Sequence, residues 1–136
     1  MTAFVLDASI ALAWCFDDEA TPTTAALLDR LEDETAVVSA IWPLELGNIL
    51  AGAERRGRLT PTRVSEFLAL IGGLDIEIDD ETAARALRET LTLARTEGLT
   101  TYDASYLELA IRLGLPLATK DNQLSRIAAR LGVTVI

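Results

Sequence analysis

Ala3-Phe4-Val5-Leu6-Asp7 is a short apolar run that stops on an acid. Four consecutive apolar residues of this kind read as a strand buried on both faces. Strands of that type belong to parallel sheets, which helices cover on both sides. Working outward, Ser9 to Phe16 predicts a helix, and Asp17-Asp18-Glu19 a solvated turn. Further strands are expected at 35–39, at 75–78 near an edge, at 117–119 and at 133–136. Between them, Thr21-Pro22 opens a helix to about Leu31, and Pro43 one to Arg56. Thr60-Pro61 opens another to about Ile71, followed by helices over 80–96, from Thr101 or Asp103 to Leu113, and from Asp121 to near Gly132. Gly57, Gly98 and Gly114 are expected helix stops. The order is β-α-α-β-α-α-β-α-α-β-α-β. It predicts an α/β fold, a three-layer α/β/α sandwich with a central, mainly parallel sheet. No repeat or linker divides the chain, so one domain over 1–136 is expected.

Helical spacing assigns packed faces. These are Ala25, Leu28 and Leu31; Leu44, Ile49 and Ala53; Val64, Phe67, Leu68 and Ile71; and Ala83, Leu87, Leu91 and Ala94.

The chain has 136 residues, one cysteine and no histidine. Without histidine there is no Ser-His-Asp or Cys-His triad and no imidazole zinc ligand. Cys15 lies in an apolar run and reads as a small buried hydrophobe. A basic amino-terminal region followed by a long apolar stretch is missing, so a cytoplasmic location is expected. The formal charge of −9 argues against a general nucleic-acid binder, which usually carries a basic stripe. Any catalysis is therefore expected to rest on carboxylates.

Four acids fall where a parallel sheet places ligands, beyond the carboxyl ends of its strands. Asp7 follows the first strand, and Asp121 the fourth. Glu45 sits in the first turn of the helix after the second strand, and Asp103 at a helix start. Each has a plainer reading as a cap or first-turn acid, because helix amino ends favour negative charge. Together they make one oxygen-rich site that suits Mg²⁺ or Mn²⁺ and phosphodiester hydrolysis. Ser9, Asn48 and Thr119 are the candidate supporting residues, with Asn48 one turn after Glu45. Lys120 could face a phosphate. Arg55, Arg56 and Arg58 could meet RNA, the protein's own acids, or only solvent. Asp17-Asp18-Glu19 and Asp79-Asp80-Glu81 read as solvated loops or helix starts outside the site.

Four segments carry a resemblance. They are Phe4-Val5-Leu6-Asp7-Ala8-Ser9, Glu45-Leu46-Gly47-Asn48, Thr101-Tyr102-Asp103-Ala104-Ser105-Tyr106-Leu107-Glu108-Leu109-Ala110, and Leu117-Ala118-Thr119-Lys120-Asp121 with Leu124. In order and spacing they resemble the motifs of the PIN-domain family, and most of all its VapC toxins from toxin–antitoxin pairs. The resemblance implies a magnesium- or manganese-dependent endoribonuclease that inhibits translation. It implies Asp7 and Asp103 as principal metal ligands, with Glu45 and Asp121 binding directly or through water. It also implies a homodimer, and a VapB-like antitoxin that feeds a segment into the active-site groove. Operator DNA would be met only through that antitoxin. Other readings are a PIN nuclease in RNA processing or DNA repair, a carboxylate-rich binding module without catalysis, and a phosphatase-type enzyme with a nucleophilic aspartate.

Overall fold

The computed structural model describes residues 2–136. A four-stranded sheet holds the centre, in the order β3-β2-β1-β4. These strands are β1 (Thr2–Leu6), β2 (Thr35–Val38), β3 (Ile76–Ile78) and β4 (Leu117–Ala118). Every neighbouring pair is parallel, with Val5 opposite both Val37 and Leu117, and Val38 opposite Ile78. Phe4, Val5 and Leu6 are wholly buried, as are Ala36, Val38, Leu117 and Ala118. Burial on both faces is why these strands read as continuous apolar runs rather than alternating ones. β3 forms one edge, with Ile78 56% exposed. The strand expected at 133–136 is reduced to a single bridge between Val135 and Leu117.

Helices flank the sheet, giving the expected α/β/α sandwich. They are α1 (Ala8–Cys15), α2 (Pro22–Arg30), α3 (Trp42–Arg55), α4 (Pro61–Gly72), α5 (Thr82–Arg85), α6 (Glu89–Glu97), α7 (Thr101–Leu113) and α8 (Asn122–Arg130). Asp17–Glu19 is a short 3-10 turn. α1 packs on α2, α3 and α4, while α7 packs on β1, β4, α6 and α8. Of α7, Ala104 through Ala110 are all buried, which makes it a fixed frame for residues at its start. It stops at Gly114, whose φ of 66° is left-handed and favours glycine. Cys15 is buried, as expected, and burial raises its thiol pKa. No described helix is long and apolar enough to cross a membrane.

All four packed faces differ in part from those the spacing predicts; of the stripe Ala83, Leu87, Leu91 and Ala94, only Ala94 is buried. In α3 the buried side is Trp42, Leu46, Leu50 and Ala53, whereas Leu44 is 70% and Ile49 38% exposed. The indole of Trp42, seated in the core at the helix start, sets the phase. In α4, Phe67 is buried but Leu68 is 54% exposed. In α2, Thr24, Leu27 and Leu31 face inward, and Ala25 is exposed. The Thr24 carbonyl accepts from the Trp14 indole at 2.8 Å, and Thr24 forms a reciprocal cap with Thr21, turning that face inward.

The helix expected over 80–96 is broken. Residues 86–88 form a turn, in which Ala86 keeps helical angles and Arg88, at φ −121° and ψ −107°, leaves them. Leu87 is 83% exposed, so no core contact rewards continuity there.

Asp79 corrects a second reading, because it is not a solvated loop acid. Its side chain is 7% exposed and pairs with Arg112 at 2.8 Å. Arg112 also meets buried Glu108, at 2.8 Å. Burial pushes the Asp79 carboxyl up, but hydrogen bonds from Arg112 and Thr82 and the arginine charge carry it below the usual range. This pairing ties the end of β3 to the last turn of α7.

Candidate active site

The chain passes from β1 to β2 and on to β3, then returns to place β4 on the other side of β1. Such a reversal opens a crevice beyond the carboxyl ends of the two strands. Asp7 leaves β1 there, and Thr119, Lys120 and Asp121 leave β4.

Hydrogen bonds join the two exits. Asp7 is 6% exposed and caps α1, accepting from the Ser9 amide at 3.2 Å and the Ser9 hydroxyl at 3.3 Å. The Thr119 hydroxyl donates to the second Asp7 oxygen and accepts from the Asp121 amide at 3.1 Å. The Ser9 hydroxyl accepts from the Lys120 amide at 2.9 Å. Ser9 and Thr119 therefore lie beside Asp7 as expected of supporting residues. Asp121 caps α8, its Oδ1 accepting from the Leu124 amide at 2.9 Å. The capping and site placements of Asp7 and Asp121 coexist.

Asp103 does not cap α7. Thr100 does, its hydroxyl accepting from the Asp103 amide at 3.1 Å, so neither Thr101 nor Asp103 is the cap. The Asp103 carboxylate is thus not engaged as a cap and stands half-buried in the first turn. Glu45 is half-buried in the first turn of α3.

Sequence reasoning missed the partner of Glu45. Tyr106, fully buried, donates its phenol to Glu45 Oε1. The signal was present: Tyr106 lies one turn after Asp103, on the same side of α7. Asn48 is exposed and, among the described residues, makes no hydrogen bond to Glu45. Lys120 sends its ammonium to the Glu19 carbonyl at 2.7 Å, and Arg58 binds Asp18 at 3.1 Å, so both meet the protein's own acidic turn. Arg55 and Arg56 are exposed.

The acids feel one another. Burial raises the Asp7 carboxyl above its ordinary pKa; hydrogen bonds from Thr119 and Ser9 oppose this, and the Asp121 charge adds to it. Burial also raises Glu45, with the Tyr106 hydrogen bond opposing and the Asp7 and Asp103 charges adding. Asp103 is raised by burial and then by Asp7 and Asp121. Burial, and then the hydrogen bond to Glu45, push the Tyr106 phenol far up, which keeps it a donor. Among the described residues, no three of these acids close into a ready metal cage. The donor set nevertheless fits a hard cation. It is all oxygen, and Mg²⁺ binds through one or two carboxylates while keeping several waters.

Comparisons with known proteins bear on the fold and the family. The family model for the PIN domain matches residues 4–130, from β1 through α8. Ribonuclease VapC3 of Pyrobaculum aerophilum is 28% identical over 121 residues, covering 89% of this chain and 91% of its own. The crystal structure of PAE2754 from the same organism superposes with a TM-score of 0.71 at 25% identity, covering 98% of this chain and 83% of that one. VapBC2 from Rickettsia felis, solved bound to a DNA fragment from its promoter, shares the fold with a TM-score of 0.68 at 14% identity, covering 99% and 98%. With the PIN-domain model matching residues 4–130, nearly the whole of this chain, the chain belongs to the PIN-domain family.

Proposed function

We propose that the protein is a Mg²⁺-dependent endoribonuclease, with Mn²⁺ able to substitute, and the toxic member of a toxin–antitoxin pair. The observation that carries this reading is electrostatic. Asp7, Glu45 and Asp103 come from three separate elements, yet the pKa of each is raised by burial and by the charge of its neighbours. Like charges gathered in a half-buried crevice call for a cation. The similarity to a relative named a ribonuclease supports RNA as the substrate.

In this reading Asp7 and Asp103 hold the cation directly, and Glu45 and Asp121 complete the site directly or through water. Ser9 and Thr119 fix both oxygens of Asp7. Tyr106 fixes Glu45. When bound, the metal supplies positive charge to the scissile phosphate and acidifies water at neutral pH. Asp103 stands half-buried in the first turn of α7, ahead of that helix's buried stretch.

The acidic surface suits a basic antitoxin segment, since charge complementarity steers association. A homodimer and indirect contact with operator DNA through the antitoxin complete the reading, in keeping with the relative solved on promoter DNA. The test is brief expression followed by mapping of RNA ends and growth. Wild type is expected to create new ends and arrest growth, and Asp7→Asn neither. The same ends from both proteins would overturn the assignment.

A further inference from the structure

Beside the carboxylates lies a hollow of about 370 Å³ lined by Ile41, Leu44, Glu45, Asn48, Ile49 and Tyr102. Three of its large side chains are open to solvent: Leu44 at 70%, Tyr102 at 57% and Ile49 at 38%. Leu44 and Ile49 were expected in the core and lie outside it. One wall is Glu45, a site acid, and Tyr102 immediately precedes Asp103. The hollow therefore continues the catalytic crevice. Asn48 sits one turn from Glu45, exposed, and no hydrogen bond within the described residues engages its amide.

An exposed aromatic ring, an apolar lining and one free amide match the needs of a single unpaired nucleobase. Proteins read single-stranded RNA by stacking bases on aromatic rings and hydrogen-bonding their edges. An amide offers both a donor and an acceptor for such an edge. We propose that this hollow is a base-binding subsite. Tyr102 stacks on a nucleobase next to the scissile phosphate, and Asn48 reads its edge. The subsite rests on the RNA-cleaving reading above and adds a specificity device to it. It also gives Asn48 a task other than supporting Glu45.

Binding in a cleavage-incapable Asp103→Asn background separates the two claims. The probes are a fluorescent single-stranded RNA of mixed sequence and the same strand made of abasic ribose, in matched Mg²⁺ and salt. Tyr102→Ala is expected to weaken binding of the RNA about tenfold or more. It should leave the abasic strand unchanged, and Tyr102→Phe should bind both as the parent does. Asn48→Ala should flatten the preference among strands that differ in one base. Equal affinity of parent and Tyr102→Ala for the RNA overturns the subsite, as does an equal loss on both strands; the apolar face would then be assigned to a protein segment. Failure of the wild-type protein to cut RNA would overturn the cleavage reading alone.

Discussion

Tyr106 and Glu45 meet across 61 residues of chain. The phenol is the contact that lowers the Glu45 pKa against burial and two neighbouring charges. Tyr106→Phe removes it. Cleavage is expected to fall roughly tenfold, as is usual when support for a ligand is lost. The acid limb of the pH–rate profile should move to higher pH, because Glu45 then holds its proton longer. A loss of rate with an unmoved profile would contradict this role. Asp103 gives a different signature. Its folded-state pKa is raised, so its protonated form stabilises the fold at pH below the unfolded carboxylate range. That contribution disappears as pH climbs through the raised value, and at neutral pH the charged acid weakens the fold. Asp103→Asn should therefore raise Tm by a few degrees in metal-free buffer at pH 7 while abolishing cleavage. Mg²⁺ should raise the wild-type Tm by binding the native state, and raise that of the variant much less. The four acids were legible because each follows a strand or opens a helix. Tyr106 was not, because a hydroxyl inside an apolar stripe looks like core until its partner is placed.

At the scale of elements, the strands were the most readable part, since burial on both faces leaves an uninterrupted apolar run. β1, β2 and β3 fall close to where Ala3–Leu6, Thr35–Ser39 and Asp75–Ile78 predict them. Helix phase was less readable. Leu44 and Ile49 are as apolar as Leu46 and Leu50, and only the seating of Trp42 decides which pair turns inward. The break at 86–88 and the buried Asp79 were unreadable for different reasons: nothing buries Leu87, whereas the environment of Asp79 is set by Arg112 of α7, about thirty residues further along. Arg112→Ala would leave Asp79 buried without a counter-charge, and Glu108 with only the more distant Arg85 at 3.7 Å. Breaking a buried pair in this way costs about 3–5 kcal/mol, read as a lower midpoint in urea unfolding. Loss below 1 kcal/mol would show that water compensates the acids. Thr100→Ala, which removes the cap of α7, should cost about 1 kcal/mol. Because Asp103 lies in that first turn, cleavage should fall with it.

At the scale of the molecule, one sheet order explains why acids 114 positions apart lie together: Asp7 and Asp121 come close because β4 pairs with β1. The overall charge of −9 concealed this, since it reports neither where acids gather nor where an apolar hollow adjoins them. The central claim is that these gathered carboxylates bind a divalent cation and cut RNA with it. The direct test is cleavage of a structured RNA by purified wild type, Asp7→Asn and Asp103→Asn across a Mg²⁺ titration, with chelator controls and circular dichroism to verify folding. Metal-dependent cleavage by wild type is expected, with at least about a hundredfold loss in both folded variants. Equal cleavage by all three proteins, or wild-type cleavage that persists in chelator, would contradict it.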